Sequence, residues 1–279
     1  MLSRYARERF LFRLTHSEHA DRFVLKGATL FLIWEGEPHR LTRDLDLLGF
    51  GSPDPEQLVE TMRAVCAVPV SDDGLIFSSE NIRAARIRED QEYEGVRVML
   101  EAYLDSARIS LQVDVGFGDV VTPAPKHEAL PTLLDMEPPR PQVYPRETVV
   151  AEKYHAMVRL GIANSRMKDF YDLWFLAESF SFEGPVLAEA IQRTFERRRT
   201  NVPAEPPLAL TDVFAEDREK SRQWQALIRR GQLGADVSLT TVIEVLRRFL
   251  LPPSAAIARG ERFEKKWVAG DAWVFGSPA

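Results

Sequence analysis

The spacing of apolar positions changes period part-way along the chain. In the first half, "NIRAARIR" (81–88), "GVRVMLEAYL" (95–104) and "ARISLQVDVGF" (107–117) hold short alternating or continuous apolar runs joined by turn-like residues. A period of two sends successive side chains to opposite faces of a strand, so these segments predict an antiparallel set of strands. Before them, "EQLVETMRAVC" (56–66) has helical spacing, and 27–36 predicts a short helix behind a glycine. In the second half the period is helical almost throughout: 146–163, 166–179, 186–199, 215–230 and 240–251 each predict a helix, with several charged partners at i, i+4. The tail after Leu251 is weakly patterned.

Proline marks the boundary between the two patterns. Seven of the 18 prolines lie between Pro123 and Pro145, where each fixes φ and removes a backbone donor, so the stretch predicts a linker or a wrapping loop. The expected organisation is an α+β domain over 1–140 and a helical domain over 141–279. With 279 residues and 45% hydrophobic side chains, the chain can bury a full core. No apolar run approaches the roughly 18 residues that cross a bilayer, and the N-terminal stretch is interrupted by arginines, so the expectation is a cytoplasmic protein that meets no membrane. The single Cys66 excludes an intramolecular disulfide and a cysteine-built zinc cage. His16 and His19 have helical metal spacing but lack a third ligand.

A net charge of −6 argues against a protein that coats nucleic acid through a general positive excess. The charge is uneven: up to Val149 there are 17 Lys and Arg against 25 Asp and Glu, and beyond it 19 against 17. The basic run "RTFERRR" (193–199) falls in the second half; such runs are usually solvated helix faces.

The acidic half carries the candidate chemistry. In "RLTRDLDLLGF" (40–50), an extended backbone points Asp44 and Asp46 to one face and Leu45 and Leu47 to the other. Two carboxylates that close repel unless a cation sits between them, and Mg²⁺ is the usual hard divalent partner. Asp114, flanked by Val113 and Val115, is a polar residue in a predicted central strand and the natural third ligand if that strand neighbours the first. Three such acids suit in-line phosphoryl chemistry. In "LKGATLF", Gly27 permits close backbone approach, and the amides opening the next helix with the Thr29 hydroxyl can hold a phosphate. Arg40 and Arg43 either steady a triphosphate or pair with the aspartates. Gly116 and Gly118 let the chain leave its strand, with Asp119 capping that turn. Trp34, Trp174, Phe170, Phe175 and Phe180 suit a core between the two expected domains better than a base-stacking platform.

Glycine-led helix, D-x-D strand and third strand acid together resemble the nucleotidyltransferase superfamily. More specifically, "LKGATLF", "RLTRDLDL", "VDVGFGD" (113–119), "VAEKYHAMV" (150–158) and "SRMKDFYDLWFL" (165–176) resemble the AbiEii/AbiGii toxin family in matching order over about residues 22–178. The resemblance implies a mixed nucleotidyltransferase sheet with flanking helices, followed by a helical domain. It further implies a toxin of a toxin–antitoxin or abortive-infection pair that transfers NMP from an NTP to RNA, the tRNA 3′ end foremost, with Mg²⁺ and a cognate antitoxin. On this pattern Gly27, Ala28 and Thr29 fall on the phosphate loop, and Asp44, Asp46 and Asp114 on the metal and catalytic acids. Lys153 falls on a helical lysine that reaches phosphate, and Asp169 on a later essential acid. Ala28 departs from the family's Gly or Ser; its amide survives, but a hydroxyl is lost. By residues alone, Lys153 also reads as a surface lysine, and Arg166 with Asp169 and Lys168 with Asp172 read as ion pairs along one helix. Transfer to a protein or small-molecule hydroxyl, and a degenerate binding partner, remain the competing functions.

Overall fold

The computed structural model describes residues 1–37, 40, 42, 44–90, 93–231 and 237–275. The chain divides into two units, 1–119 with 125–144 and 120–124 with 145–279. The first unit comprises α1 (Leu2–Thr15), β1 (Phe23–Lys26), α2 (Thr29–Glu35), β2 (Asp44–Gly49), α3 (Pro55–Cys66), β3 (Leu75–Phe77), β4 (Arg83–Asp90), β5 (Tyr93–Leu104), β6 (Ala107–Phe117), β7 (Lys126–His127) and β8 (Gln142–Val143). Its sheet runs β3-β5-β6-β2-β1-β8-β7, with β4 also paired to β5. The antiparallel β4, β5 and β6 match the alternating segments; β2 then joins β6 in parallel and β1 joins β2 antiparallel.

One face of this sheet is apolar. Leu45, Leu47, Val96, Val98, Val113 and Val115 are at most 1% exposed, and α1 and α3 pack there, with Phe10 of α1 meeting Phe77 of β3 at 6.0 Å between ring centroids. Burying an arginine-rich α1 requires an acid, and Asp73 supplies it. Its carboxylate accepts from Arg9 Nε (3.1 Å) and from Arg13 Nη1 and Nη2 (2.6 and 3.0 Å), while the two guanidinium groups stack on Phe12 and Phe77.

Burial would raise the Asp73 carboxyl, but Arg13, the Leu75 N–H and Arg9 outweigh it and hold the pKa below the ordinary value. A depressed folded-state pKa gives stability that is present above the unfolded value near 3.8 and is lost as pH falls through the folded one. Asp73→Asn is therefore expected to cost about 1.5–3 kcal/mol at pH 7. In urea melts the gap to wild type should begin to narrow at about pH 4, where the unfolded chain takes up a proton at Asp73, and close as pH falls through the depressed folded-state pKa.

The proline-rich segment wraps the first unit. β8 adds to β1 in parallel, β7 pairs with β8, and the Tyr144 N–H donates to Leu25 O at 3.0 Å. The division into units thus falls at 144/145, with the short piece 120–124 counted in the second unit.

The second unit contains α4 (Arg146–Leu160), α5 (Met167–Ser179), β9 (Phe182–Glu183), α6 (Gly184–Arg197), α7 (Asp212–Ala215), α8 (Arg218–Gly231), α9 (Leu239–Ala258), β10 (Lys265–Trp267) and β11 (Trp273–Phe275). It is not purely helical: β9, β10 and β11 form a three-stranded sheet. The helix expected to stop at Leu251 continues through Pro252 and Pro253 to Ala258. Pro253 cannot donate to the carbonyl of Phe249, and the Trp273 indole N–H does so instead at 2.9 Å. Phe182, Phe249, Phe263, Trp267 and Trp273 form one aromatic cluster. Phe170 is fully buried and stacks on Phe214, and in the first unit Trp34 packs edge-on against Phe31. Among the described residues no helix is long and apolar enough to cross a membrane.

Candidate active site

The polar face of the first unit's sheet is organised by strand register. Lys26 of β1 is the direct partner of Asp46 on β2, Asp46 of Asp114 on β6, and Asp114 of Arg97 on β5. Direct partners share a face, so four charges stand in one row across four strands in the order plus, minus, minus, plus. Asp44, two residues before Asp46 on β2, points to the same side opposite Gln112.

The two flanking cations explain how the acids are tolerated. Arg97 donates from Nε and Nη2 to the two carboxylate oxygens of Asp114 at 2.9 and 2.8 Å, and Gln112 Nε2 donates to both at 3.2 and 3.0 Å. Arg97 is held more firmly protonated chiefly by those bonds to Asp114, with the charges of Asp44 and Asp46 adding to them. Lys26 lies over Gly116, where an added Cβ would meet its Nζ at 3.1 Å, and pairs with Asp119 at 3.5 Å. The carboxylate of Asp119 therefore has a strand lysine for a partner; Gly118, with φ +87°, is the residue that turns the chain out of β6. Among the described residues no three His, Cys, Asp or Glu side chains are gathered as a metal cluster. The register aligns Asp44, Asp46 and Asp114, while Arg97 and Gln112 hold the last of them.

Gly27 closes the site from the end of β1. Its φ is +75°, and a Cβ there would press on Asp46, meeting Oδ2 and standing 2.7 Å from Cγ and 2.8 Å from Cβ. Both the backbone conformation and the space therefore require glycine. Ala28 is buried, and Thr29 opens α2, a helix of only seven residues. The segment expected to hold phosphate thus rests on the Gly27 turn more than on a helix end. Gly27→Ala should cost about 1–3 kcal/mol in backbone strain and displace the Asp46 carboxylate, so that nucleotide transfer falls further than the melting temperature; a variant with wild-type transfer would contradict this geometry.

Arg40 lines a cavity that Thr29 and Thr42 also line; Arg43 lies outside the described residues. In the second unit, Lys153 of α4 reaches α5 and pairs with Asp169 at 2.6 Å and Asp172 at 3.0 Å. By residues alone these acids read as partners of Arg166 and Lys168 along their own helix; the Lys153 pairs also make them join two helices. Of the basic run, Arg193 pairs with Glu189, and Arg198 is drawn inward to Glu152 (3.8 Å) and to His155 Nδ1 (3.3 Å), so these two do not form part of a bare cationic face. His16 Nδ1 lies 2.8 Å from the Phe12 carbonyl and His19 beside Glu18.

The profile of the nucleotidyl transferase AbiEii toxin, of type IV toxin–antitoxin systems, matches residues 9–245. The chain belongs to the AbiEii family. It is accordingly a nucleotidyltransferase, and the family implies an NTP substrate and a cognate antitoxin. No curated protein matches it. Among solved structures, JHP933 from Helicobacter pylori aligns over 90% of this chain and 89% of its own, at 14% identity and a TM-score of 0.46. A second H. pylori chain, described as a candidate nucleotidyltransferase, aligns over 90% and 92%, at 15% identity and a TM-score of 0.44.

Of the residues now placed beside Asp44, Asp46 and Asp114, Lys26 and Arg97 were not singled out from the sequence. Each occupies a polar position in an otherwise apolar strand pattern, "VLKG" and "GVRVML", a signal that gives the face but not the neighbour.

Proposed function

We propose that this AbiEii-family enzyme transfers a nucleoside monophosphate from an NTP to a hydroxyl of an RNA acceptor, the 3′ end of tRNA, in a Mg²⁺-dependent reaction that blocks translation. The reading is carried by the row Lys26, Asp46, Asp114 and Arg97 with Asp44 beside it, against which the Gly27 turn packs. Asp44 and Asp46 are hard oxygen donors two residues apart on one strand face, a set that fits Mg²⁺, and Asp114 is within register to join them. When bound, the metal supplies charge neutralisation at the phosphates and acidifies the attacking hydroxyl.

The chain's own residues do the rest. The backbone of Gly27, Ala28 and Thr29, with the Thr29 hydroxyl, holds phosphate oxygens. The acceptor oxygen bonds to the α-phosphorus, the bond to the β-phosphate breaks, and pyrophosphate leaves; Asp114 stands on the acid face to take the hydroxyl proton. Lys153 and Asp169 belong to the catalytic set by family pattern, Lys153 stabilising phosphate charge and Asp169 orienting it through their 2.6 Å pair. The second unit, less acidic than the first, receives the RNA.

Asp114 cannot serve a metal with both oxygens while Arg97 holds them. Arg97→Ala is therefore expected to tighten Mn²⁺ binding severalfold in the absence of nucleotide, read by paramagnetic resonance; unchanged affinity would place Asp114 outside the metal site.

The deciding experiment incubates the enzyme with each α-labelled NTP, Mg²⁺ and total bacterial RNA, followed by a denaturing gel. Label on tRNA-sized bands is the expected result and names the nucleotide. Label on protein or on a small molecule would reassign the acceptor, and no label with any NTP would reject the reading.

A further inference from the structure

Beside the Gly27 turn, the first turns of α1 and the start of α2 line a cavity of about 380 Å³ within the first unit. Ala28 and Thr29 border it on one side, and Arg4, Arg7 and Glu8 on the other. Arg4 Nε, Arg7 Nη1 and Glu8 Oε1 are shut off from water and have no hydrogen-bond partner among the described residues. Glu8 is only 2% exposed, and its other oxygen accepts the Leu133 N–H at 2.8 Å. Buried polar atoms are normally paired, so three unpaired ones in side chains lining one cavity point to an occupant that supplies their partners after small side-chain rotations.

The walls indicate its chemistry. Leu32 and Leu133 are among the apolar residues that line the cavity, and apolar walls with a few convergent polar groups suit a flat heterocycle with polar edges better than a bare polyanion. A carboxylate oxygen accepts an N–H, and a guanidinium donates to a carbonyl or ring nitrogen; nucleobases present both. Burial lowers the pKa of Arg7, and the charges of Asp44 and Asp46 oppose that drop, so Arg7 lies within electrostatic reach of the acid pair.

We propose that this cavity holds the nucleoside part of the NTP, with Glu8 and Arg4 reading the base and Arg7 at the phosphate end, so that α1 decides which nucleotide is used. The inference rests on an NTP being the substrate.

The test is calorimetric binding of the four NTPs and of inorganic tripolyphosphate, with Mg²⁺, to the full chain and to Glu8→Gln, with thermal melts as the control for folding. The expected result is a change of about tenfold in the relative affinities of the four NTPs, with tripolyphosphate binding unaltered. Leu32→Phe, which narrows the cavity from an apolar wall, is the second variant should Glu8→Gln fail to fold; it should weaken all four NTPs and spare tripolyphosphate. Unchanged NTP ranking in Glu8→Gln, unchanged NTP affinity in Leu32→Phe, or equal loss of NTP and tripolyphosphate binding in a folded variant overturns the assignment. If those variants still label RNA, nucleotidyl transfer stands without this pocket. A wild-type chain that binds tripolyphosphate and no NTP overturns both.

Discussion

Asp46→Ala is expected to lower nucleotidyl transfer on the order of 10³-fold while leaving the fold in place. A metal-binding carboxylate at the reacting phosphate supports several kcal/mol of transition-state stabilisation, and each ~1.4 kcal/mol corresponds to tenfold in rate. The fold should tolerate the change for electrostatic reasons. Asp46 shares its face with Asp44 and is the direct cross-strand partner of Asp114, so its removal relieves like-charge repulsion. Lys26, its partner on β1, still has Asp119 at 3.5 Å. Initial rates with the labelled nucleotide, measured beside a thermal melt, separate the two effects. Transfer at the wild-type rate would remove Asp46 from the site, and a large drop in melting temperature would assign the loss to the fold.

Lys153→Ala should produce the largest stability effect, a loss of about 3–5 kcal/mol. The ammonium bridges Asp169 and Asp172, and the Asp172 carboxylate is 1% exposed. Removing the cation takes a counter-charge at 3.0 Å from the buried Asp172 carboxylate and severs a link between α4 and α5. Adding Asp172→Asn to Lys153→Ala should recover part of the stability, because the buried carboxylate no longer has to be held charged without the ammonium; denaturant melts of the four members of that cycle give the coupling. Transfer is the second readout. A doubly substituted enzyme that regains stability but not activity supports contact between Lys153 and phosphate. Recovery of both would make Lys153 a structural bridge only.

These two cases differ in how far the sequence could anticipate them. The alternation in "DLDLL" was sufficient to put Asp44 and Asp46 on one face opposite buried leucines, because side-chain direction in a strand is a local property. The spacing of Asp169 and Asp172 was equally clear, yet their partner comes from α4 and not only from their own helix. Local ion-pair spacing shows what is possible within one helix, and a lysine on a packed neighbour can take its place. Residues 1–15 illustrate another limit. Arginines at 4, 7, 9 and 13 interrupt any apolar stripe, and α1 becomes intelligible only once Asp73, 60 positions beyond Arg13, meets two of them in the core.

Short-range pattern by itself determined the strands of 81–117, the helices of the second half, the shared face of the two aspartates and the ordered motifs of the AbiEii family. All of these depend on side-chain periodicity or on residue order. Tertiary structure alone decided that β2 lies between β1 and β6, and hence that Lys26, Asp46, Asp114 and Arg97 form one row. It also decided that α9 passes two prolines, since the indole of Trp273, 24 residues beyond Phe249, supplies a donor to the Phe249 carbonyl. Strand order and replacement hydrogen bonds depend on which distant segments meet, and periodicity within a segment carries no information about its neighbour.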